Sequence, residues 1–269
     1  MTTEILLDAP KSHYRPKHIA RSELAKIVTL RSTAITVGLT VVASLLVTGL
    51  VTHSALHHDP GYYQGFDPTQ ESLTGMITVA LAGGVFGALL ITGEYSSGTI
   101  RTTIAAAPRR MLLLTTKLAV TTVLTMVFCV VLSFLSFLLG QAILSSGGAP
   151  TATLATPGAA RAVVLTGLFI GLLALMSFGF GLIFRSTAAA ISAFVGVIFV
   201  LPLVMHGISE SDVHFLPTMI LTNSIMATMG QGQTGPFAPL TPVVGLMLMV
   251  VYTAVALAVG SVLFVRRDA

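Results

Sequence analysis

Six long apolar runs separated by short polar segments constrain this chain more than any other feature of its sequence. A helix needs roughly 20 mostly apolar residues to cross about 30 Å of hydrocarbon, and each run approaches or exceeds that length. Charged residues make up only 9% of the 269 residues, against 54% hydrophobic ones, a balance typical of integral membrane proteins. The sequence therefore predicts an all-α membrane protein with six transmembrane helices, over residues 34–52, 73–92, 118–144, 162–184, 188–205 and 242–265.

The basic residues predict how these six spans are oriented. All but one of the 14 Lys and Arg side chains flank span ends that would share one side of the membrane, and only Arg161 falls on the other side. Because basic residues are retained in the cytoplasm, both termini are expected there. Membrane topology thus accounts for the basic charge, which disfavours nucleic acid as a partner. The long polar start is not typical of a cleaved signal peptide.

Residues 1–33 are expected to form a cytoplasmic tail that ends in a short helix on the membrane surface. Ala20, Leu24, Ile27 and Arg31 recur at helical spacing after Pro16, a residue well suited to the first turn of a helix. Such a stripe is typical of an interfacial connecting helix, and a solvated basic tail is the alternative. Residues 34–269 would then form one transmembrane domain.

The connector between the second and third runs, residues 93–117, carries most of the candidate functional residues. Ile100, Thr103, Ile104 and Ala107 fit one face of a short helix that must end before the proline at position 108, because the residue ahead of a proline avoids helical backbone. Arg101 would project from another face toward a partner. The candidate residues for contact with that partner are Glu94, Tyr95, Gly98, Thr99, Ile100, Arg101 and Pro108.

Two longer polar segments lie on the other side of the predicted spans. Residues 53–72 contain Asp59-Pro60-Gly61 and Asp67-Pro68, which are turn sequences and predict an ordinary surface loop. Residues 206–241 contain an apolar stretch of about fifteen residues, which is too short to cross the bilayer. We predict a re-entrant or interfacial helix in this extracellular segment.

Several function classes are disfavoured by what the runs lack. No Asp, Glu, Lys or Arg falls in the middle of a predicted span, although ion-coupled carriers need ionisable groups within the membrane. No G-x-x-x-x-G-K-[ST] phosphate loop is present, so any ATP hydrolysis would belong to a separate chain. Cys129 is the single cysteine, which provides neither a disulfide framework nor a cysteine metal motif. We predict no catalytic and no metal-binding residue in this chain.

Some residues allow both a structural and a functional interpretation. The histidines at positions 53, 57 and 58 have the spacing of metal ligands on one helix face, but no carboxylate or cysteine completes the set within the adjacent turn. Pro202 is expected to kink the outer end of the fifth span. Several glycines of the second and fourth spans are expected to permit close helix packing: Gly83, Gly84, Gly87, Gly167 and Gly171.

The connector closely resembles that of bacterial ABC type-2 transporter permeases, the small six-span subunits of exporters. The resemblance rests on Gly93-Glu94-Tyr95-Ser96-Ser97-Gly98-Thr99-Ile100-Arg101-Thr102-Thr103, on Pro108-Arg109-Arg110, and on Ser22-Glu23-Leu24-Ala25-Lys26 before the first span. It implies that the chain pairs with a second copy or a related permease on ATP-binding-cassette ATPase subunits. ATP and Mg would be bound by those subunits, and no cofactor by this chain.

The resemblance also implies roles for particular residues. Residues 98–107 would form a coupling helix that docks into a groove on the ATPase, with Glu94 and Arg101 as polar contacts at its edges. The alternative for Glu94 is a local pair with Arg101 or Arg110. By the same analogy spans two and five would line the substrate path, near Met76, Phe86, Phe194 and Phe199.

We therefore expect a permease subunit of the bacterial plasma membrane that exports an amphipathic drug, antibiotic, peptide or lipid. A separate ATPase subunit would supply the energy. The alternative is a non-transporting membrane immunity or sensor protein that has no ATPase partner.

Overall fold

The computed structural model describes residues 21, 25, 31–58, 66–98, 110–208, 215–225 and 240–266, and the regular elements within these residues are helices. Arg21 and Ala25 are helical, and the rest of the predicted interfacial helix before residue 31 lies outside the described residues. The elements are α1 (Arg31–Ala55), α2 (Pro68–Leu73), α3 (Met76–Ser96), α4 (Arg110–Ser146), α5 (Ala159–Phe184), α6 (Thr187–Val195), a π-helix (Gly196–Val200), α7 (Leu201–His206), α8 (Pro217–Ser224) and α9 (Pro242–Arg266).

Six helical segments are long and apolar enough to cross a bilayer, which confirms the predicted number of spans. They are Thr33–Ala55, Pro68–Ser96, Leu114–Ser146, Ala159–Phe184, Thr187–Met205 and Pro242–Arg266. The chain therefore has the architecture of a multi-pass membrane protein. The end of the bundle at which α3 stops and α4 begins is called the connector end, and the opposite end is called the far end.

The predicted connector over 93–117 is too long at both of its ends. Helix α3 continues to Ser96, and α4 already begins at Arg110. Helix α4 has 37 residues and is therefore about 55 Å long, well beyond the roughly 30 Å of hydrocarbon. Hydropathy detects only the part of a helix that lies in hydrocarbon, so it does not distinguish the helical turns at either end from the connector.

Helix α5 lies at the centre of the bundle and packs against α3, α4, α6, α8 and α9. It is apolar on all sides and mostly buried, as expected for a central helix. Glycines let its neighbours approach closely: a methyl group at Gly87 would collide with the carbonyl of Ala174, and one at Gly167 would lie 2.5 Å from the Cα atom of Val130.

The predicted role of the glycines is confirmed for Gly84, Gly87, Gly167 and Gly171, each of which has no room for a methyl group. Gly83 differs, because a methyl group there would lie 3.7 Å from its nearest neighbours, at ordinary contact distance. The close contacts therefore join α5 to α3 at Gly87 and to α4 at Gly167 and Gly171, and join α3 to α6 at Gly84.

Helix α1 presents hydroxyl groups to the bundle and apolar side chains to its surroundings. Thr40, Ser44, Thr48 and Thr52 are buried, whereas an apolar stripe that includes Leu39 and Leu46 is exposed. Small Ser and Thr side chains allow membrane helices to pack closely, and their hydroxyl groups form hydrogen bonds between helices. The inner face is thus more polar than the outer face, the reverse of a helix in a water-soluble protein.

One hydroxyl cluster joins three spans in the interior. Ser44 of α1 and Ser136 of α4 lie 3.1 Å apart through their Oγ atoms, and each lies 3.6 Å from the Sδ atom of Met76 in α3. The three side chains are almost completely buried. The cluster therefore joins α1, α3 and α4 through direct side-chain contacts.

The prediction of a surface loop over residues 53–72 is wrong at both ends, because residues 53–55 still belong to α1 and residues 68–72 lie in α2. Asp67 caps α2 by accepting hydrogen bonds from the amides of residues 69 and 70 at 2.9 and 3.2 Å, as expected for a capping carboxylate. Gln141 of α4 donates to the carbonyl of Pro68 and to the hydroxyl of Ser72, both at 2.9 Å. The turn sequence therefore starts a short helix that packs in the bundle.

Span five is not a continuous α-helix, because a π-helix precedes Pro202. The sequence predicts a kink there, and the structure accommodates the proline by widening the turn before it. After this span, residues 215–225 contain the eight-residue helix α8, whose Ile220 and Leu221 are buried. The rest of the predicted extracellular segment, up to residue 239, lies outside the described residues.

Candidate coupling site at the connector end

Helix α3 ends at the point where the sequence predicts the functional connector to begin. The amide of Ser97 donates to the carbonyl of Gly93 at 3.1 Å, and that of Gly98 donates to Tyr95 at 3.2 Å. Gly98 has a φ of 69°, in the left-handed region that ends many helices and favours glycine. Gly98 therefore stands at the end of helix α3.

An ion pair fastens the last turn of α3 to the first turns of α4. The Nζ atom of Lys117 donates to Oε1 of Glu94 at 2.7 Å, and the two side chains are only 9% and 16% exposed. A charge removed from water to this degree needs a partner of opposite sign. The pair therefore holds Glu94 at a defined position next to the start of the connector.

The sequence did not single out Lys117 as the partner of Glu94. It proposed Arg101 or Arg110 instead, and the placement of these two side chains lies outside the described residues. The apolar runs give no signal for this pair, because it depends on the helical turns of α4 before residue 118, which place Lys117 beside the end of α3.

The short turn between α5 and α6 contacts the same end of α3. The guanidinium of Arg185 lies 5.4 Å from the ring centroid of Tyr95, within the range of a cation–π interaction. Arg185 ends α5 in a left-handed conformation, with a φ of 54°, and its amide donates to Gly181 at 3.0 Å. The turn therefore presents a cation to the aromatic ring that precedes the connector.

A pair of hydroxyl groups adds a second link between α3 and the start of span five. Thr187, the first residue of α6, donates to Oγ1 of Thr92 at 2.7 Å, and Thr92 in turn donates to the carbonyl of Ala88 at 2.9 Å. Thr92 is 1% exposed. The last turns of α3 are thus joined to span three through Lys117 and to spans four and five through Arg185 and Thr187.

The structure brings only part of the predicted coupling set together. Glu94, Tyr95 and Gly98 lie within the last turn of α3 and just after it. Thr99, Ile100, Arg101 and Pro108 lie outside the described residues, as does the predicted coupling helix over 98–107 after its first residue. Lys117, Arg185, Thr187 and Thr92 are the cluster members that sequence reasoning did not assign to the site.

The four residues proposed to line a substrate path occupy different environments. Met76 and Phe194 are completely buried and belong to the same apolar cluster, where Phe194 fills the space left by Gly84. Phe86 is half-buried, and Phe199 is 45% exposed. Met76 and Phe194 thus contribute to helix packing, whereas Phe199 faces away from the bundle.

The histidines at the far end make local contacts. The Nδ1 atoms of His57 and His58 lie 3.0 Å from the backbone oxygens of His53 and Ser54. Among the residues that the structure describes, no group of three His, Cys, Asp or Glu side chains has an arrangement suited to a metal ion.

Comparison with known proteins assigns the chain to a protein family on the basis of sequence similarity. A search of curated proteins returned no match. Residues 41–269, which include all described spans except the beginning of α1, match the family described as "Protein of unknown function (DUF2705)". The match covers well over half of the chain, and the protein therefore belongs to the DUF2705 family.

Proposed function

We propose that this chain is the membrane-spanning permease subunit of an ATP-binding-cassette exporter. It would move an amphipathic substrate, such as a drug, antibiotic, peptide or lipid, across a bacterial plasma membrane. A separate subunit would bind Mg and ATP and hydrolyse the nucleotide. The single observation that carries the proposal is the sequence of the connector, which resembles the coupling region of ABC type-2 permeases and begins at the polar cluster around the end of α3.

The cluster has the properties required of a force-transmitting contact. Closure of a nucleotide-binding subunit can reorient the spans only if a rigid element connects the subunit to the spans. That element must make different contacts in the open and closed states. The Glu94–Lys117 ion pair at 2.7 Å and the Thr187–Thr92 hydrogen bond at 2.7 Å join the end of α3 to its neighbours, which supports its proposed role as such an element. A displacement at the connector would thus be passed to spans three and five together.

The ion pair changes the role proposed for Glu94. Its carboxylate is largely buried against Lys117, so its main contribution is to position the start of the connector. Direct contact with the ATPase is proposed for Arg101 and its neighbours in residues 99–107, because a guanidinium can bind a carboxylate with two parallel hydrogen bonds.

The remaining parts of the proposal rest on charge and composition. The connector end would face the cytoplasm, together with both termini, because nearly all basic residues of the chain flank that side. A second permease, either another copy or a related chain, would complete the transport unit. Spans free of charge in their interiors favour an amphipathic cargo over ions or sugars.

The coupling role can be tested by substitution in an affinity-tagged chain expressed in its native host. Arg101→Ala would remove the proposed direct contact, and Glu94→Gln would loosen the position of the connector. Arg266→Gln, at an exposed residue of α9, is a control that removes one charge from the same end of the bundle. The measured quantity is the amount of ATP-binding-cassette subunit recovered per tagged chain.

We expect Arg101→Ala to reduce recovery of the ATPase severalfold, Glu94→Gln to reduce it less, and Arg266→Gln to leave it unchanged. Unchanged recovery and unchanged transport in both connector variants would contradict a coupling role. If the unmodified chain recovers no ATPase, the alternative of a stand-alone immunity or sensor protein is favoured instead.

A further inference from the structure

The far end of span five contains a backbone carbonyl that cannot be satisfied within its own helix in the usual way. In an α-helix the carbonyl of Ile198 would accept a hydrogen bond from the amide of residue 202. Residue 202 is proline, which has no amide hydrogen and whose ring crowds the carbonyl four residues earlier. The π-helix Gly196–Val200 lies at this point, and its wider turn relieves that crowding.

A side chain from another element supplies a donor in place of the amide that residue 202 lacks. The Oγ1 atom of Thr218, in α8, donates to the carbonyl of Ile198. Ile198 is 3% exposed, so water does not readily reach this region. A carbonyl that lacks a donor at membrane depth costs free energy, and the threonine hydroxyl removes that cost. This hydrogen bond is called the Thr218 bridge.

Helix α8 is itself held in place by span six. The hydroxyl of Tyr252, in α9, donates to the carbonyl of Phe215 at 3.1 Å. Ile220 of α8 packs against Gly245 of α9, where a methyl group would lie 3.0 Å from its Cγ2 atom. The Thr218 bridge therefore connects the irregular turn of span five to a helix that is anchored on span six.

The part of span five beyond the π-helix has few other attachments. In α7, Leu203 is 76% exposed and Val204 is 49% exposed. Segments with few buried contacts open at low free energy, and π-turns within helices occur frequently at functional sites. The orientation of α7 is thus determined mainly by the π-helix and by what holds it.

We propose that the π-helix is a hinge of span five and that α8 controls it through the Thr218 bridge. While the bridge is formed, α7 keeps its orientation relative to span six. When it breaks, the Ile198 carbonyl loses this donor and α7 is free to move. The inference rests on the geometry of the far end alone and is independent of the partner at the connector end.

Hydrogen exchange measured by mass spectrometry on the purified chain in detergent tests this proposal through the amides of residues 199–208. Thr218→Val removes the donor and keeps the shape of the side chain, whereas Thr218→Ser keeps the donor. Thr222→Val is a matched control, because the hydroxyl of Thr222 donates at 3.0 Å within α8 itself, to the carbonyl of Thr218.

Loss of one hydrogen bond corresponds to about tenfold faster exchange. We therefore expect about tenfold acceleration in Thr218→Val and rates close to the unmodified chain in Thr218→Ser and Thr222→Val. Equal acceleration in all three variants, or no acceleration in Thr218→Val, would overturn the proposal.

The proline provides a second test, and its first measurement uses Pro202→Ala alone and so does not depend on the stability of Thr218→Val. Pro202→Ala restores an amide that can donate to Ile198, so exchange over residues 199–208 should slow relative to the unmodified chain. In the Pro202→Ala background, Thr218→Val should change the rates by less than about twofold, because the carbonyl keeps a donor. Faster exchange in Pro202→Ala, or the same effect of Thr218→Val in both backgrounds, would refute the hinge.

Discussion

Replacing Lys117 tests whether the ion pair stabilises the connector end. In Lys117→Met the carboxylate of Glu94 would keep its place, only 16% exposed, without the ammonium that now lies 2.7 Å away. Removing one partner of a deeply buried pair costs about 3–5 kcal/mol, and a hydrogen bond to a charged group contributes about 1.5–3 kcal/mol. Because this pair lies near a helix end and keeps some exposure, we expect a loss of about 2 kcal/mol, or roughly 30-fold in the unfolding equilibrium.

The assay is a double-mutant cycle on unfolding in detergent, with Glu94→Gln as the second substitution. Each single variant removes one charge of the ion pair and keeps the other, whereas the double variant removes both charges. The double variant should therefore be destabilised by clearly less than the sum of the two singles. The exchanged pair, Glu94→Lys with Lys117→Glu, should recover part of the loss. Additive losses in the cycle would refute the argument that the pair is coupled.

Two further predictions concern the contacts of α3 with its neighbours. Gly87→Ala should destabilise the bundle by about 1–3 kcal/mol, since the new methyl group would meet the rigid backbone of Ala174. The control Gly38→Ala should be close to neutral, because nothing lies within 4 Å of the added atom. Equal unfolding free energies for the two variants would contradict the packing described. Thr187→Val should lower the free energy of unfolding by about 1 kcal/mol, because it removes the hydrogen bond to Thr92, and Thr187→Ser should not. A valine variant as stable as the serine variant would show that this bond does not hold span five.

The number and positions of the spans could be predicted because the thickness of the hydrocarbon sets the length of an apolar helix. The close approach at Gly87 and Gly167 could be predicted for a similar reason, because small residues permit contact between membrane helices. These features depend on residue size and polarity along the chain, which the sequence states directly.

The environments of the path residues could not be predicted. A side chain that faces lipid and one that faces another helix are equally apolar, so hydropathy does not distinguish the buried Phe194 from the exposed Phe199. Their positions depend on the rotation of each helix about its own axis, which is decided by packing.

The partner of Glu94 was missed for a related reason. Pairing with Lys117 requires that α4 extend beyond the hydrocarbon and lie beside the last turn of α3, and neither condition follows from apolar runs. The bridge between Thr218 and Ile198 likewise joins two elements whose proximity is a property of the folded bundle. In the sequence, Glu94 indicates the position of the ion pair and Pro202 the position of the irregular turn. The partners, Lys117 and Thr218, are known only from the tertiary structure.

The most direct test of the proposed permease function is to purify the tagged chain from its native membrane in mild detergent and to identify the co-purifying proteins by mass spectrometry. The account predicts an ATP-binding-cassette subunit in stoichiometric amount, and its recovery should fall in Arg101→Ala. Reproducible absence of such a subunit from an intact, folded preparation would contradict the account.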